Sequence, residues 1–346
     1  MIKTKNLVIL AAVMLLLAGI SFMQKSQHQK DTSGSATAIV LSGEFNKDNI
    51  SRILLGYGPN PEAVVLSASN DGWIIESYHN ARVNEQRIST MLRNFSNLAG
   101  EFRSDSEKVL GQYGLNDDEA ITVRGLDQSG NEVLAINFGR TAEGFPGQFM
   151  RTPGSNKVYL SQTGMLSHLG IYGEPALPKV QFFLELQAIQ ESVPNLDAMN
   201  LVDGDQTLNF SKKFALVEAP EGSPEGAEPT TDRNAWEWLL DGEIDTDLAK
   251  TKIDGVLNSC ASIRANDVAD PGVSLAEYGL DNPAQMVSLT RQDGSEVVLE
   301  FGSTREAAAE VTAGTYMRIA GTKTIWVVTS YTIKNIFKNR DDLKAE

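Results

Sequence analysis

The residues whose types could do chemistry are few, and the best repeated pair is Arg151 and Arg318. Each arginine follows a methionine, in Phe149-Met-Arg151 and Tyr316-Met-Arg318, within a run typical of a β-strand. A guanidinium on a strand can pair with an acid on a partner protein, or with an acid across its own sheet. We expect Arg151 and Arg318 to bind a partner, and pairing inside the sheet is the alternative.

A row of alternating acids precedes the second helical stretch. Carboxylate oxygens of this kind are the ligands that calcium prefers, but the row lacks the glycine and the distal glutamate of an EF-hand loop. We expect Asp245 or Thr246 to cap the helix that follows, where acids are favoured. The row consists of Asp241, Glu243, Asp245 and Asp247.

The remaining candidate groups do not form a recognisable catalytic or metal site. None of the three histidines, His28, His79 and His168, has a second His or Cys at helical spacing, which argues against zinc. Cys260 is the only cysteine and lies on an apolar helix face, so we expect a buried, inert thiol. Gly56-Tyr-Gly58 is followed by a proline where a phosphate loop needs an N–H donor. We predict no catalytic residues, no cofactor and no metal.

The elements that carry these residues occur twice. Leu110-Gly-Gln-Tyr-Gly-Leu115 returns as Leu275-Ala-Glu-Tyr-Gly-Leu280, and the same offset pairs Trp73 with Trp238. Between each tryptophan and its Tyr-Gly-Leu lies an apolar stripe with the i, i+3, i+4, i+7 spacing of an amphipathic helix. The stripes are Ile88, Met91, Leu92, Phe95 and Leu98 in the first copy, and Ile253, Val256, Leu257, Cys260 and Ile263 in the second.

Downstream of each helix the repeat continues as short β-branched and aromatic runs separated by Gly and Asp turns. Val133–Gly139 resembles Val297–Gly302, and Val158–Leu160 resembles Ile325–Val327. We read these runs as antiparallel strands. The recurring Tyr-Gly-Leu has a structural interpretation, because a glycine can take the left-handed cap of a helical turn while the next leucine folds back onto it.

Composition and the N-terminus bear on location. The 346 residues carry 45 acids against 30 Lys and Arg, a net charge of −15, and no basic stripe, which makes nucleic-acid binding an unfavourable interpretation. Residues 7–23 are uncharged and follow Lys3 and Lys5. A run of this length is at the short end of what spans a bilayer. We expect an uncleaved anchor rather than a cleaved signal peptide, with the bulk of the chain outside the cytoplasmic membrane.

The predicted organisation is an α+β protein of two tandem β-rich modules, each with antiparallel strands and one main amphipathic helix, behind an N-terminal transmembrane helix. The second module carries an acidic Pro/Gly-rich loop that cannot pack into a core. The predicted segments are the anchor at 1–23, a flexible linker at 24–38, module 1 at 39–172, module 2 at 173–346 and the acidic loop at 218–232.

The motif order resembles the bacterial domain-of-unknown-function 4340 family. The second copy carries it best, with Tyr278-Gly-Leu-Asp-Asn-Pro283, Phe301-Gly302 and Ile325-Trp-Val327. The first copy has Asn116-Asp117-Asp118 where the second has Asp-Asn-Pro. The family has no assigned reaction, and some members resemble companions of gliding-motility-type ABC transporter subunits, so the resemblance implies an ABC transporter partner.

These observations favour a non-enzymatic, membrane-anchored extracytoplasmic interaction or scaffold protein, serving as an accessory subunit of an ABC transport system. One alternative is a periplasmic glycan- or peptidoglycan-binding module, which requires Trp73, Trp238 or Trp326 exposed beside a groove. Another is a hydrolase whose carboxylates come from both modules. We expect a single-pass protein of the inner membrane, bulk periplasmic, with a protein partner and no nucleic acid.

Overall fold

The computed structural model describes residues 37–39, 46–96, 98–217, 229–308 and 311–345. The predicted anchor at 1–23, most of the linker at 24–38 and most of the acidic loop at 218–232 lie outside these residues. Within the described ranges, no helix combines the length and the apolar character that crossing a membrane requires.

The chain divides into two compact units. The first contains the described residues of Met1–Val65 together with Ser89–Pro178, and the second contains Leu66–Ile88 together with the described residues from Lys179 onward. Residues 66–88, which the repeat assigned to module 1, therefore belong to the second unit. Backbone bonds between residues far apart in sequence hold them there: the Asn84 amide donates to the Phe183 carbonyl at 2.8 Å, and the Glu185 amide donates to the Arg82 carbonyl at 2.9 Å.

The first unit is built on an antiparallel sheet with the order β1-β6-β10-β9-β8-β7-β2-β3. Strand β1 begins at Thr37, inside the predicted linker, and the last four residues of β3 belong to the second unit. The strands are β1 (Thr37–Ile39), β2 (Arg52–Tyr57), β3 (Asn60–Ser69), β6 (Ala99–Ser104), β7 (Ile121–Leu126), β8 (Glu132–Thr141), β9 (Gln148–Arg151) and β10 (Val158–Ser161).

The second unit contains an eight-stranded sheet with the order β14-β13-β12-β17-β18-β19-β20-β16, and a separate pair β11-β15. It also holds β4 (Gly72–Ile75) and β5 (Ala81–Arg82), with β4 joined to β3 across the predicted Asn70-Asp-Gly72 hairpin turn. Its other strands are β11 (Gln187–Gln190), β12 (Leu196–Asp203), β13 (Gln206–Val217), β14 (Thr230–Leu240), β15 (Ser262–Arg264), β16 (Asp267–Ala269), β17 (Gln285–Arg291), β18 (Glu296–Arg305), β19 (Gly314–Ile319) and β20 (Ile325–Val328).

The strand order confirms the repeat. In the first sheet β2 lies beside β7, and β7-β8-β9-β10-β6 follow; in the second, β12 lies beside β17, and β17-β18-β19-β20-β16 follow. The same path is traced twice by segments whose matching runs were recognisable in the sequence. The prediction of two antiparallel, β-rich modules in an α+β chain is correct.

Each copy has one main helix of twelve residues, and both predicted apolar stripes are buried, but the last residue of each stripe lies beyond its helix: Leu98 follows the first helix and Ile263 is on β15. The helices are α1 (Glu85–Ser96), α2 (Val180–Phe183), α3 (Lys250–Ala261) and α4 (Ser330–Ile336). On α1, Phe95 is fully buried and its ring lies 5.8 Å from that of Phe138 on β8. On α3, Leu257 and Cys260 are fully buried. Burial of a Leu or Phe side chain contributes about 1.5–3 kcal/mol, so these stripes fix each helix to its sheet.

The prediction for the start of the second helix is wrong. Helix α3 begins at Lys250 with Ala249 as its N-cap residue, so neither Asp245 nor Thr246 caps it. Asp245 instead accepts a hydrogen bond from Arg340 and another from the amide of Asp247 at 3.1 Å. The acidic row therefore lies in the loop before the helix, tied to the C-terminal segment.

The structural interpretation of Tyr-Gly-Leu is confirmed in both copies. Gly114 and Gly279 are left-handed, with φ of 67° and 66°. The next residue folds back as expected, since the Leu115 amide donates to Leu110 at 3.0 Å and the Leu280 amide to Leu275 at 2.8 Å. This is the backbone pattern of a glycine-terminated helical turn.

The glycine of each downstream Phe-Gly pair completes the same arrangement. A Cβ on Gly139 would overlap the carbonyl oxygen of Tyr113, and a Cβ on Gly302 would overlap that of Tyr278. The close approach of strand and turn thus requires glycine on the strand. The two motifs recur together because each needs the other.

Candidate functional site

Arg151, the first predicted partner-binding residue, is held inside its own unit. Its side chain is 6% exposed. The guanidinium donates to the carbonyl of Leu115 at 3.0 Å, to that of Ser155 at 3.2 Å and to the Asp117 carboxylate at 2.5 Å. Arg151 therefore fastens the loop after Tyr-Gly-Leu to strand β9.

Arg318, the second predicted residue, is held by a different acid. It lies on β19 directly opposite Glu300 on β18, and its Nε donates to the Glu300 carboxylate. Both side chains are mostly buried, at 18% and 15% exposed. This is the cross-strand pair that the sequence left open as the alternative to partner binding.

The two arginines occupy equivalent positions, so the difference between them is informative. Arg151 lies opposite Asn137, whereas Arg318 lies opposite Glu300. Because Asn137 carries no charge, the first arginine takes its carboxylate from the loop, at Asp117. Both guanidinium groups already have acid partners in their own unit, and a binding role would have to use their remaining donors.

A cation–aromatic cluster that the sequence reading missed lies on the β13–β14 hairpin. Lys212, 8% exposed, has its Nζ 4.1 Å from the ring centre of Trp236 and donates to the Val193 carbonyl at 2.6 Å. Burial lowers the pKa of Lys212 to about 8. A signal was present, because Leu208, Phe210 and Lys212 alternate on one face of β13.

The acid of this cluster comes from α3. Asp254 accepts from the indole N–H of Trp238 at 2.7 Å and of Trp236 at 3.3 Å, and pairs with Lys250 at 2.8 Å. Trp238 is thus buried with its polar tip bonded, as is usual for tryptophan in a core. The cluster ties the hairpin to the helix, with two cations and one acid bonded among aromatic rings.

A cavity of about 260 Å³ opens beside the cluster. Its wall is mostly apolar, which suits a branched or aromatic side chain or a small apolar ligand. Glu237, Asp245 and Lys250 stand among its polar residues, and Ile244, 52% exposed, lies at its lining. The remaining lining residues are Phe210, Trp238, Leu240, Thr246, Leu248 and Ile253.

A buried ion pair lies elsewhere in the second unit. Asp267, 1% exposed, pairs with Arg305 at 2.7 Å and accepts from the Tyr78 hydroxyl at 2.8 Å. Burial and the Asp267 carboxylate raise the pKa of Tyr78. His79, next to Tyr78, lies 3.3 Å from Asp270. These contacts hold residues 66–88 in the unit.

The other candidate groups lie apart from one another. The Cys260 thiol is fully buried, and burial raises its pKa, which keeps it protonated and unreactive. Burial and the nearby Arg93 lower the pKa of His168. Among the described residues, no cluster of three His, Cys, Asp or Glu side chains has the geometry to hold a metal ion, and His28 lies outside them.

The fold and its contacts define a tandem of two antiparallel sheet modules built on one repeated motif set. The chain matches the family described as domain of unknown function (DUF4340) over residues 73–168 and 238–346, more than half of its length. It therefore belongs to that family, and each matched segment begins at one of the paired tryptophans, Trp73 and Trp238. No match was found among curated proteins or solved structures.

Proposed function

We propose that this protein is a non-enzymatic interaction or scaffold protein, held by a single N-terminal segment at the outer face of the cytoplasmic membrane. The proposal rests on one observation, which is that the arginines at equivalent positions of the two copies pair with acids of their own unit. Arg151 and Arg318 bond to Asp117 and Glu300 in their own units. Because these shared residues stabilise the fold of each unit, we infer that the repeat provides two similar scaffolds. Partner recognition then depends on the surfaces that differ between the two copies.

The proposed location rests on the N-terminal sequence. The run 7–23 has no charged residue and is preceded by Lys3 and Lys5, so a short cytoplasmic tail with the modules outside is the simplest topology. The proposed partner is a subunit of a gliding-motility-type ABC transport system, since the family resemblance implies that association. The protein would then act as an accessory subunit that presents its modules beside the transporter.

A glycan- or peptidoglycan-binding function ranks second. It depends on tryptophan faces free to stack on sugar rings, but Trp238 is 7% exposed and Trp326 is 9% exposed. Trp73 on β4 is half-buried and is the candidate that this alternative retains. An aromatic stacking platform of several tryptophans is therefore a weaker proposal than a protein-binding surface.

The test is chemical crosslinking of the full-length protein in its native membrane, followed by capture and mass spectrometry. We expect ABC permease or ATPase subunits to be recovered with the full chain and lost with a variant lacking residues 39–346, which keeps the N-terminal segment. Recovery of cell-wall fragments without a protein partner would overturn the scaffold proposal and favour the glycan alternative.

A further inference from the structure

Strand β14 ends the second unit's sheet, because the described part of the chain places no strand beyond it. The ladder pairs Phe210 with Leu240, Lys212 with Trp238 and Phe214 with Trp236. An edge strand offers a row of N–H and C=O groups that can pair with another chain.

The direction of these groups follows from one hydrogen bond. The Asp241 amide donates to the Asn209 carbonyl of β13 at 2.9 Å. Since backbone groups alternate in direction along an antiparallel ladder, Leu240, Trp238 and Trp236 direct theirs away from β13. Leu240 exchanges two bonds with Glu243, at 2.8 and 3.0 Å. In the described residues, nothing else bonds the outer edge at Trp236 and Trp238.

The apolar cavity adjoins this edge. Three residues of β14, Glu237, Trp238 and Leu240, line it together with the loop that contains Ile244. A strand added to β14 would run past the cavity mouth, and its side chains would point alternately to the two faces of the sheet. One of them could fill a volume of about 260 Å³, a size that suits a leucine or an aromatic ring.

The charged residues around the cavity determine which residues are favoured next to the inserted side chain in the arriving strand. Glu237 and Glu243 are exposed and make no ion pair in the described part of the chain. Lys250, the cation in the cavity lining, is already paired with Asp254 at 2.8 Å, and Lys213, which lies opposite Glu237 on β13, is not among the lining residues. The chain as a whole carries a net charge of −15. An arriving strand therefore gains most from basic residues beside its apolar anchor.

We propose that β14 is a docking edge for an extended segment of a partner protein that carries a large apolar side chain flanked by Lys or Arg. The segment pairs with the outer backbone groups of Trp236 and Trp238 and inserts the apolar side chain into the cavity. Strand addition of this kind takes affinity from main-chain hydrogen bonds and specificity from a side-chain pocket. The inference rests on the proposed interaction function and names the chemistry of its partner.

The test uses the full chain in detergent and a fluorescent ten-residue peptide. The probe alternates Thr and Val, with a central Leu between two lysines, and binding is followed by fluorescence anisotropy. Matched peptides replace the Leu with Asp, or the two lysines with glutamates. We expect the Leu peptide with lysines to bind at least tenfold more tightly than either, and to slow hydrogen exchange at residues 236–240.

Two variants separate the cavity from general attraction to an acidic protein. Ile244→Asp places a charge at the cavity and should weaken binding at least tenfold. Leu216→Asp makes the same change at a residue 69% exposed near the hairpin tip and should leave binding unchanged. Both variants add one negative charge, so a loss confined to Ile244→Asp cannot come from net charge. Glu237→Lys should lower the preference for the basic peptide.

Three outcomes would overturn the proposal. The first is the absence of peptide binding while the crosslinking experiment still recovers a partner. That result would support the scaffold function and show that β14 is not the docking edge. The second is equal weakening by Ile244→Asp and Leu216→Asp. The third is binding only by a variant lacking residues 218–228, which would mean that the chain's own acidic segment occupies the edge.

Discussion

The substitution Asp267→Asn tests whether a buried ion pair holds the second unit together. Asp267 is 1% exposed and its carboxylate accepts three hydrogen bonds, from Arg305 at 2.7 Å, Tyr78 at 2.8 Å and the Val268 amide at 2.8 Å. Asparagine keeps the size and removes the charge. Arg305, 13% exposed, would then be a mostly buried cation without its acid.

The expected loss follows from the cost of leaving one partner of a buried pair alone, about 3–5 kcal/mol. Arg305 keeps its bond to the Thr312 carbonyl at 2.7 Å, and asparagine can still accept one bond, so we expect the lower end, about 3 kcal/mol. For a unit of this size that corresponds to a fall of about 6–12 °C in melting temperature. Tyr78→Phe removes one hydrogen bond to a charged group and should cost about 1.5–3 kcal/mol.

The assay is urea unfolding of the full chain, with hydrogen exchange on peptides covering residues 264–272 to assign the transition to the second unit. The double variant should lose less than the sum of the single losses, by about 1 kcal/mol, because both single changes disrupt the same carboxylate. Asp48→Asn is the control, since Asp48 is 73% exposed in its ion pair with Lys47 and should change stability by less than about 0.5 kcal/mol. A loss at Asp267 no larger than that of the control, or strictly additive losses, would refute the reasoning.

Three further predictions concern packing, protonation and access. Gly302→Ala should destabilise the protein by about 1–3 kcal/mol or more, because the added Cβ would overlap the Tyr278 carbonyl. Gly255→Ala on α3 has open space for the Cβ and should stabilise by about 0.5–1 kcal/mol. Equal urea midpoints for the two variants would contradict this reasoning. The Lys212 pKa of about 8 lies below the ordinary 10.5. Between these pH values the unfolded chain binds more protons than the folded chain, so the free energy of unfolding should rise with pH. Lys212→Met should reduce that rise, measured as the difference between the urea midpoints at pH 7 and pH 10. Cys260, fully buried, should react with maleimide only as fast as the second unit opens, and rapid labelling under native conditions would contradict its assigned position.

A structural feature could be predicted from the sequence when the residues that cause it lie close together in the chain. The Tyr-Gly-Leu turn, the helix stripes and the strand runs were predictable because each depends on residues close together in sequence and on patterns with a known period. The tandem repeat made them more secure, since one offset relates the two copies from the tryptophan to the Tyr-Gly-Leu and the downstream strand runs follow with small slips in the turns. The N-cap at Ala249 was not predictable by the same means, because Asp245 is drawn to Arg340, a residue far along the chain.

The candidate site shows the same limit more clearly. Arg151 and Arg318 were recognisable as a repeated pair, but their acid partners were not, since one comes from the opposite strand and the other from a loop. The sequence also gave no indication that residues 66–88 join the second unit. Pairings of this kind arise from long-range chain contacts, which short periodic patterns do not encode.

The comparison of the two copies leads to a view of where function lies. Arg318 has its acid opposite on the neighbouring strand, whereas Arg151 lies opposite Asn137 and takes Asp117 from the loop. The two copies therefore differ in the acid that pairs with the arginine, but in both the guanidinium has a carboxylate partner. Only the second copy carries the acidic segment at 218–232 in its long hairpin, and the apolar cavity adjoins that same hairpin. If the partner is recognised by surfaces that the two copies do not share, replacing the β13–β14 hairpin with its counterpart from the first copy should abolish partner capture. Changing the acid that pairs with Arg151 or Arg318 should alter stability alone.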